Sequence, residues 1–181
     1  MDTSVHNKLV SFIWSIADDC LRDVYVRGKY RDVILPMVVL RRIDTLLEPS
    51  KTAVMEEVKC QHEELKLTEF DARGLQDASG YVFYNTSKWT LQTLHNTATN
   101  SQQMLQANFD DYLNGFSSNV KEIIEKFKLR SQIHHMADKD VLLVVLEKFT
   151  SPNINFTPYE KLDSDGRNTP PLTNLGMGYV F

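Results

Sequence analysis

The apolar residues near the start of the chain recur at intervals of three and four. Between positions 4 and 24 the residues with this spacing are Val5, Leu9, Phe12, Ile13, Ile16, Ala17, Cys20, Leu21 and Val24, and Val10 and Trp14 widen the apolar face on one side. This is the period of an amphipathic α-helix, whereas a half-buried strand would alternate apolar and polar residues. The period returns over 30–47, 100–113 and 139–149. The sequence therefore predicts an all-α protein.

The predicted architecture is an irregular bundle of six to eight helices. The one β-leaning stretch is "YVFYNTS", which predicts at most a short β ribbon near 81–84. Pro36 predicts that the second helix starts near Leu35 or is kinked there, and "DARGLQDASG" predicts an exposed loop. The expected core includes Phe12, Ile13, Ile16, Val38, Leu40, Phe109, Ile123, Leu142 and Val145.

The helical pattern of apolar residues ends after residue 149. Residues 1–150 are expected to form a helical N-terminal domain, and 151–174, which hold four of the six prolines, a long surface connection. The final stretch "LGMGYVF", 175–181, is expected to start a helix that leads to another domain missing from this chain. The two cysteines, Cys20 and Cys60, form no Cys-x-x-Cys pair and favour a reducing cytoplasm.

The aspartates Asp18, Asp19 and Asp23 could suggest a carboxylate site. Neighbouring helical residues diverge by about 100°, so Asp18 and Asp19 do not converge on one point. A solvated helix face with intrahelical pairs to Arg22 explains them more simply. Cys60, His62, His134 and His135 match no zinc-ligand spacing. We expect no catalytic, cofactor-binding or metal-binding residue in the chain.

The distribution of charge favours a contact with phosphates. The net charge is −4, yet residues 22–42 hold six basic residues against two acidic ones. Residues 43–79 hold four basic and nine acidic residues. The candidate contacts with DNA phosphates are Arg27, Lys29, Arg31, Arg41 and Arg42. The alternative is a solvated loop with intrahelical ion pairs.

Several motifs together resemble a known family. "FIWSIAD" and "ILPMVVLRR" are followed by "FYNTS", "NGFSSNV" and "LGMGYVF". In this order they resemble the N-terminal part of the modification (M) subunit of type I restriction-modification systems. The resemblance runs from about Leu9 to Phe181.

The resemblance implies an S-adenosylmethionine-dependent, adenine-specific DNA methyltransferase as the parent protein. It implies double-stranded DNA, a specificity (S) subunit and a restriction (R) subunit as partners, and no membrane. The family's glycine-rich cofactor loop and Asn-Pro-Pro-Phe motif are absent from this sequence, and "TPPL" at 169–172 does not replace them. We therefore expect no complete active site here, and no cofactor bound by these residues.

Two hypotheses follow for the helical domain. The first is a domain that encloses DNA through the basic stretch and contacts partner subunits. The second is a protein-interaction module without DNA contact, for which Trp14 is the candidate partner contact. Ordinary core packing of Trp14 is the favoured alternative to that role.

Overall fold

The computed structural model describes residues 3–98 and 101–173, with side chains other than those of 3–6 and 27. The helices are α1 (Thr3–Ile16), α2 (Tyr30–Leu47), α3 (Lys51–Lys59), α4 (Ala72–Ser79), α5 (Leu91–Thr97), α6 (Gln102–Asn114), α7 (Ser118–Lys126), α8 (Leu129–Asp138) and α9 (Leu142–Thr150). π-Helical turns extend α1 over Ala17–Leu21 and α3 over Cys60–Glu64, and 3-10 turns cover Arg27–Lys29 and Glu48–Ser50. The all-α fold class is confirmed.

Helix α2 runs through the middle of the bundle. It contacts α8 and α9 and also the π-helical turn that ends α1. The helix is continuous through Pro36, so the predicted start near Leu35 is wrong. Pro36 cannot donate to the carbonyl of Asp32, but burial of the helix on several faces offsets that lost bond.

Two stretches that were not predicted as helices are also helical. Residues 72–79 form α4, not the predicted loop. Asp71 caps this helix, since its side chain accepts a hydrogen bond from the Arg73 amide, and Gly80 ends it with φ of 78°. α8 follows α7 after a turn in which Lys128 has φ of 54°. The two caps stabilise α4 in a stretch whose composition had indicated a loop.

Most of the expected core is confirmed, with two changes. Buried side chains include Phe12, Ile16, Val38, Leu40, Phe109, Leu142 and Val145. Ile13 is only partly buried at the edge of the core. Ile123 was expected inside but is 39% exposed, because α7 is a peripheral helix that turns Val120 and Ile124 inward.

The β structure lies elsewhere than expected. The ribbon pairs β1 (Lys161–Leu162) with β2 (Asn168–Thr169) in antiparallel register. Residues 81–84 form no strand, and the nearby pairing is an isolated bridge between Asn85 and Phe116. The Asn85 side chain donates to the Tyr112 carbonyl of α6 and accepts from the Ser87 amide.

The proline-rich segment after α9 is not simply a surface connection. Phe156 and Leu172 are each 1% exposed, and Phe156 packs edge-on against Phe12. The Asn155 side chain donates to the carbonyls of Tyr159 and Pro170, which folds the segment onto itself. The predicted helix at 175–181 lies outside the described residues.

Candidate nucleic-acid interface

The basic stretch before α2 is exposed where the structure describes it. Lys29 ends the 3-10 turn and Arg31 lies in the first turn of α2, both on the surface. Lys29 Nζ lies 3.9 Å from Asp32 Oδ2, with both side chains 65% exposed. An ion pair this exposed holds its partners weakly, so Lys29 is available to a ligand. The side chain of Arg27 lies outside the described residues.

A second basic segment faces this stretch across a groove. The end of α7 and the turn that follows it supply Lys126, Phe127 and Lys128, and all three are exposed. The groove has a volume of about 530 Å³. We call it the basic groove, and its charged lining residues are Lys29, Arg31, Asp32, Lys126 and Lys128. Four of these five side chains carry positive charge.

A hydrogen bond joins the two walls of the basic groove. Tyr25 Oη donates to Gln132 Oε1 of α8 over 2.7 Å. The Tyr25 ring also packs edge-on against His135, with the ring centroids 4.9 Å apart. Burial raises the pKa of Tyr25 to about 12, so its hydroxyl keeps its proton and remains a donor at neutral pH. The groove therefore has a fixed width at this end.

Apolar surface borders the basic groove. Phe127 is 47% exposed, and with Pro36 it also lines a shallow strip between α2 and α7. Ile123 lies on the same strip. An exposed phenylalanine between two lysines is the combination that nucleic-acid-binding surfaces use, because the cations meet phosphates while the ring contacts sugars or bases.

Arg41 and Arg42 lie in a different environment from the rest of the predicted set. They are 7% and 5% exposed. Arg41 Nη1 donates to Asp44 Oδ2 over 2.7 Å, and Arg42 Nη1 donates to the carbonyls of Phe156 and Leu172. Both are largely buried, and Arg42 is held under the segment that follows α9, so neither presents its charge on the surface as Lys29 and Arg31 do. Of the predicted phosphate contacts, Lys29 and Arg31 therefore remain candidates. The side chain of Arg27 is outside the described part of the structure.

The sequence reasoning missed Lys126, Phe127 and Lys128. They lie about a hundred positions from the basic stretch, and only the fold brings the two together. The pattern "KFKLR" at 126–130, in which basic residues alternate with apolar ones, was a signal that could have found them.

The structure also shows the surroundings of Trp14 and of the aspartates on the first helix. Trp14 is 54% exposed, so the alternative of ordinary core packing is wrong. Asp18 and Asp19 are exposed, and Asp19 pairs with Lys148 of α9 at 3.6 Å and not with Arg22. Within 3–98 and 101–173 no group of three or more His, Cys, Asp or Glu side chains could hold a metal ion.

The part of the chain that the structure describes contains no helix both long and apolar enough to cross a membrane.

The comparisons with known proteins identify the family. The sequence model of the HsdM N-terminal domain matches residues 9–149, which is well over half of the chain. No curated protein matches the chain, and no solved structure does. The matched region includes both walls of the basic groove. The chain thus belongs to the HsdM N-terminal domain family, the N-terminal domain of the M subunit of type I restriction-modification systems.

Proposed function

We propose that this domain helps the M subunit to enclose double-stranded DNA, which it contacts through the basic groove. In this proposal the parent protein is an adenine-specific DNA methyltransferase of the cytoplasm that uses S-adenosylmethionine. It assembles with the S subunit, which reads the DNA sequence, and with the R subunit. Membership of the HsdM N-terminal domain family supports this parent activity.

The convergence of two distant basic segments carries the proposal. Lys29 and Arg31 flank the first residue of α2, while Lys126 ends α7 and Lys128 lies in the turn that follows it. The whole chain has a net charge of −4, so this local excess of positive charge runs against the average surface. A local positive field of this kind attracts a polyanion and releases its condensed counterions.

Phe127 adds a contact that charge alone cannot supply. Its ring lies at the tip of a turn, between two lysines, and nearly half of it is open to solvent. In the proposal Lys126 and Lys128 bind phosphates while the ring packs against the groove of the duplex. Apolar side chains used in this way often enter between base steps or against sugars.

The residues described here do not fit the cofactor. The strands within 3–98 and 101–173 are the two-residue β1 and β2, and neither leads into a glycine-rich turn before a helix. The usual site for the phosphate or ribose part of a nucleotide cofactor needs such a turn. We therefore assign S-adenosylmethionine to a part of the M subunit other than this domain, and no step of methyl transfer to these residues.

The salt dependence of DNA binding tests the proposal. The material is the assembled methyltransferase carrying the K29Q/R31Q/K126Q/K128Q variant of this domain. Each phosphate contact contributes about 0.9 to the slope of log Kobs against log salt, so the slope should fall by about 2–4. Phe127→Ala should weaken binding at every salt concentration but leave the slope unchanged, because it removes an uncharged contact.

A matched control uses lysines of the acidic region. Lys59 and Lys66 are exposed, so the K59Q/K66Q variant removes surface charge without touching the basic groove. It should leave the slope of the wild type. If the groove variant shares that unchanged slope while the complex stays assembled, the groove does not contact DNA and the proposal fails.

Trp14 supports a second candidate function, the docking of a partner subunit. An indole that is 54% exposed is a large apolar surface to leave in water. Exposed tryptophans are enriched among the residues that dominate binding at protein interfaces. In this alternative the domain would hold the S subunit or the catalytic domain, with or without contact to DNA.

Capture of the S subunit distinguishes this alternative. Trp14→Ala should reduce assembly with the S subunit while circular dichroism and the unfolding midpoint stay unchanged. Met104→Ala on α6 is the control, since Met104 is 53% exposed on another helix. Normal assembly by the Trp14 variant would remove this surface from the interface.

A further inference from the structure

An exposed loop between α3 and α4 has no role in the proposed function. Every residue from 62 to 70 is exposed. We call residues 61–71 the acidic loop. It begins in the π-helical turn that extends α3 and ends at Asp71, the N-cap of α4. It has no lining residue in common with the basic groove.

One buried side chain ties the two ends of the acidic loop together. Gln61 is 1% exposed. Its Oε1 accepts a hydrogen bond from the Asp71 amide at 2.8 Å, and its Nε2 donates to the Asp71 carbonyl at 3.1 Å. Nε2 also donates to Glu57 Oε1 of α3 at 2.8 Å. The ends of the loop therefore cannot separate unless these hydrogen bonds break.

Further contacts inside the acidic loop give it a defined shape. The Leu67 amide donates to the Gln61 carbonyl at 2.8 Å, and Lys66 has φ of 52°, which turns the chain out of the helix. The His62 ring packs edge-on against Phe70, with the ring centroids 4.8 Å apart. A loop that is already ordered loses less conformational entropy on binding than a flexible one.

The acidic loop holds three large apolar side chains in contact with water. Leu65 is 59% exposed, Leu67 37% and Phe70 38%. Single exposed apolar residues are ordinary on a protein surface, but three so close together on one ordered loop are a concentrated apolar surface. Interfaces between proteins bury an apolar centre within a polar rim. These three side chains can supply such a centre.

The charge of the acidic loop decides which kind of partner fits. Its exposed acidic residues are Glu63, Glu64, Glu69 and Asp71, and Lys66 is its one basic residue, so its net charge is −3 when histidine is neutral. A surface of this sign repels DNA phosphates and attracts a cationic protein surface.

Among the partners in the proposed function, the S subunit has a reason to carry that positive charge. It reads the DNA sequence, and phosphate contacts supply much of the affinity of a protein for DNA. A protein that reads DNA therefore presents lysines and arginines on its surface.

We propose that the acidic loop docks onto a basic surface of the S subunit. Leu65, Leu67 and Phe70 pack against apolar side chains at the centre of that contact, and the carboxylates pair with lysines or arginines at its rim. This inference rests on the proposed assembly of the M and S subunits. It assigns the loop a contact that is separate from the DNA contact of the basic groove.

The affinity of the full-length M subunit for the S subunit, measured without DNA at low and at high salt, tests the contact. L65A/F70A should weaken binding by about tenfold at both salt concentrations. E63Q/E64Q/E69Q should weaken binding by about three- to tenfold at low salt and by less at high salt, because charges at the rim are screened. Circular dichroism checks that each variant is folded.

Matched control variants remove the same kinds of side chain elsewhere. E122Q/E125Q/D138N neutralises exposed carboxylates of α7 and α8. M104A/V144A truncates exposed apolar side chains of α6 and α9. Both controls should bind the S subunit as the wild type does.

Cross-linking identifies what the acidic loop touches. Benzoylphenylalanine replaces Leu67 in the complex of the M, S and R subunits with DNA, and the products are mapped by mass spectrometry. A cross-link to a lysine- or arginine-rich peptide of the S subunit is expected. A cross-link only to the R subunit, to a second M subunit or to DNA would overturn the proposal.

Failure of this contact is distinguishable from failure of the proposed function. If the wild-type M and S subunits associate and the loop variants bind as tightly as the controls, the acidic loop is not part of the interface. The salt slope of DNA binding then remains a separate test of the basic groove. If the wild-type subunits do not associate, the proposed assembly fails and this contact fails with it.

Discussion

Two ion pairs, one at the start of helix α2 and one near its end, have the same sequence spacing and opposite surroundings. Lys29–Asp32 at its start is 3.9 Å long, with both side chains 65% exposed. Arg41–Asp44 near its end is 2.7 Å long, with side chains 8% and 3% exposed. In each pair the basic and the acidic residue are three positions apart in the sequence. The sequence spacing therefore determines which residues can form an ion pair. Tertiary packing determines whether that pair is exposed to solvent or buried.

The difference divides the helix into two parts with different roles. At the exposed start, the pair costs little to open, and Lys29 and Arg31 can turn to a ligand. At the buried end, charged side chains work inside the domain: Asp44 joins Arg41, the Leu91 amide and Tyr112. The basic residues at the start of α2 thus lie on the surface, whereas those near its end form hydrogen bonds inside the core.

Asp44→Ala should cause the largest loss of stability of any change to these pairs. It leaves Arg41 as a buried charge without its carboxylate and removes the acceptor of the Leu91 amide and of Tyr112. Breaking a buried pair in this way costs about 3–5 kcal/mol. Asp32→Ala removes the same group from the exposed pair and should cost less than about 1 kcal/mol.

Urea unfolding of the two variants checks this contrast. The free energy of unfolding should drop several times further for Asp44→Ala than for Asp32→Ala. Equal losses would mean that burial does not separate the two pairs, and the division of α2 into two parts would then be wrong.

Arg42→Met should loosen the segment that follows α9. Arg42 Nη1 donates to the Leu172 carbonyl over 2.7 Å and also to the Phe156 carbonyl. Hydrogen bonds to a charged group contribute about 1.5–3 kcal/mol each, but removing a buried charge recovers part of that. We expect a net loss of about 1–3 kcal/mol.

Hydrogen exchange followed by mass spectrometry locates that effect. Amides between 153 and 172 should exchange faster in the Arg42 variant, while those of α6 keep their protection. Arg31→Met, at the exposed start of α2, is the matched control. If both variants exchange alike, Arg42 does not hold this segment to the core.

Lys51 is a third cation near the buried end of α2, and its effect depends on pH. Burial lowers its pKa from 10.5 to about 8, against the attraction of Asp44. Between these values the native Lys51 loses its proton while the unfolded chain keeps it. The unfolded state then binds more protons, so this residue makes stability rise as pH goes from about 8 to 10.5.

The Lys51→Met variant isolates that contribution. The free energy of unfolding of the variant should exceed that of the wild type most below pH 8, where the wild type carries the partly buried charge. The advantage should shrink as pH rises through 8 toward 10. Lys59→Met, at an exposed position of α3, should show no such trend. A constant difference between Lys51→Met and the wild type would mean that Lys51 is not perturbed by burial.

The sequence predicted the helical class, most of the core and the family because each depends on local periodicity or on motifs. It did not indicate that Arg41 and Arg42 are buried, since a charged residue on a helix gives no local sign that a distant segment will cover it. The cover comes from Phe156 and Leu172, more than a hundred positions later. Composition alone had indicated that this segment was a surface connection.

Only one wall of the basic groove could be predicted from the sequence, because the other wall is brought to it by tertiary packing. "VRGKYR" is readable as a basic stretch, but its opposite wall is the turn that contains Phe127, and only the packing of α8 against α2 brings the two together. Helix α4 shows the converse error. Its composition indicates a loop, yet the Asp71 cap and the Gly80 terminus are both local signals that favour a helix.

Asp32→Asn is the smallest change and tests the exposed end directly. Among the described residues, Asp32 is the one acidic side chain that lines the basic groove. Removing its charge should strengthen DNA binding of the assembled methyltransferase by about two- to fivefold, the effect of one unscreened surface charge near a phosphate. Stability should fall by less than about 1 kcal/mol, because Asp32 lies in the first turn of α2 and pairs only weakly with Lys29.

Binding measured at low and high salt checks this last expectation. The gain should be larger at low salt, where surface charges are screened less. Asp77→Asn on α4 removes an exposed acidic residue from outside the basic groove and should change affinity much less. If Asp32→Asn binds no better than Asp77→Asn, then Asp32 does not face DNA. The exposed end of α2 would then differ from its buried end in solvation and not in function.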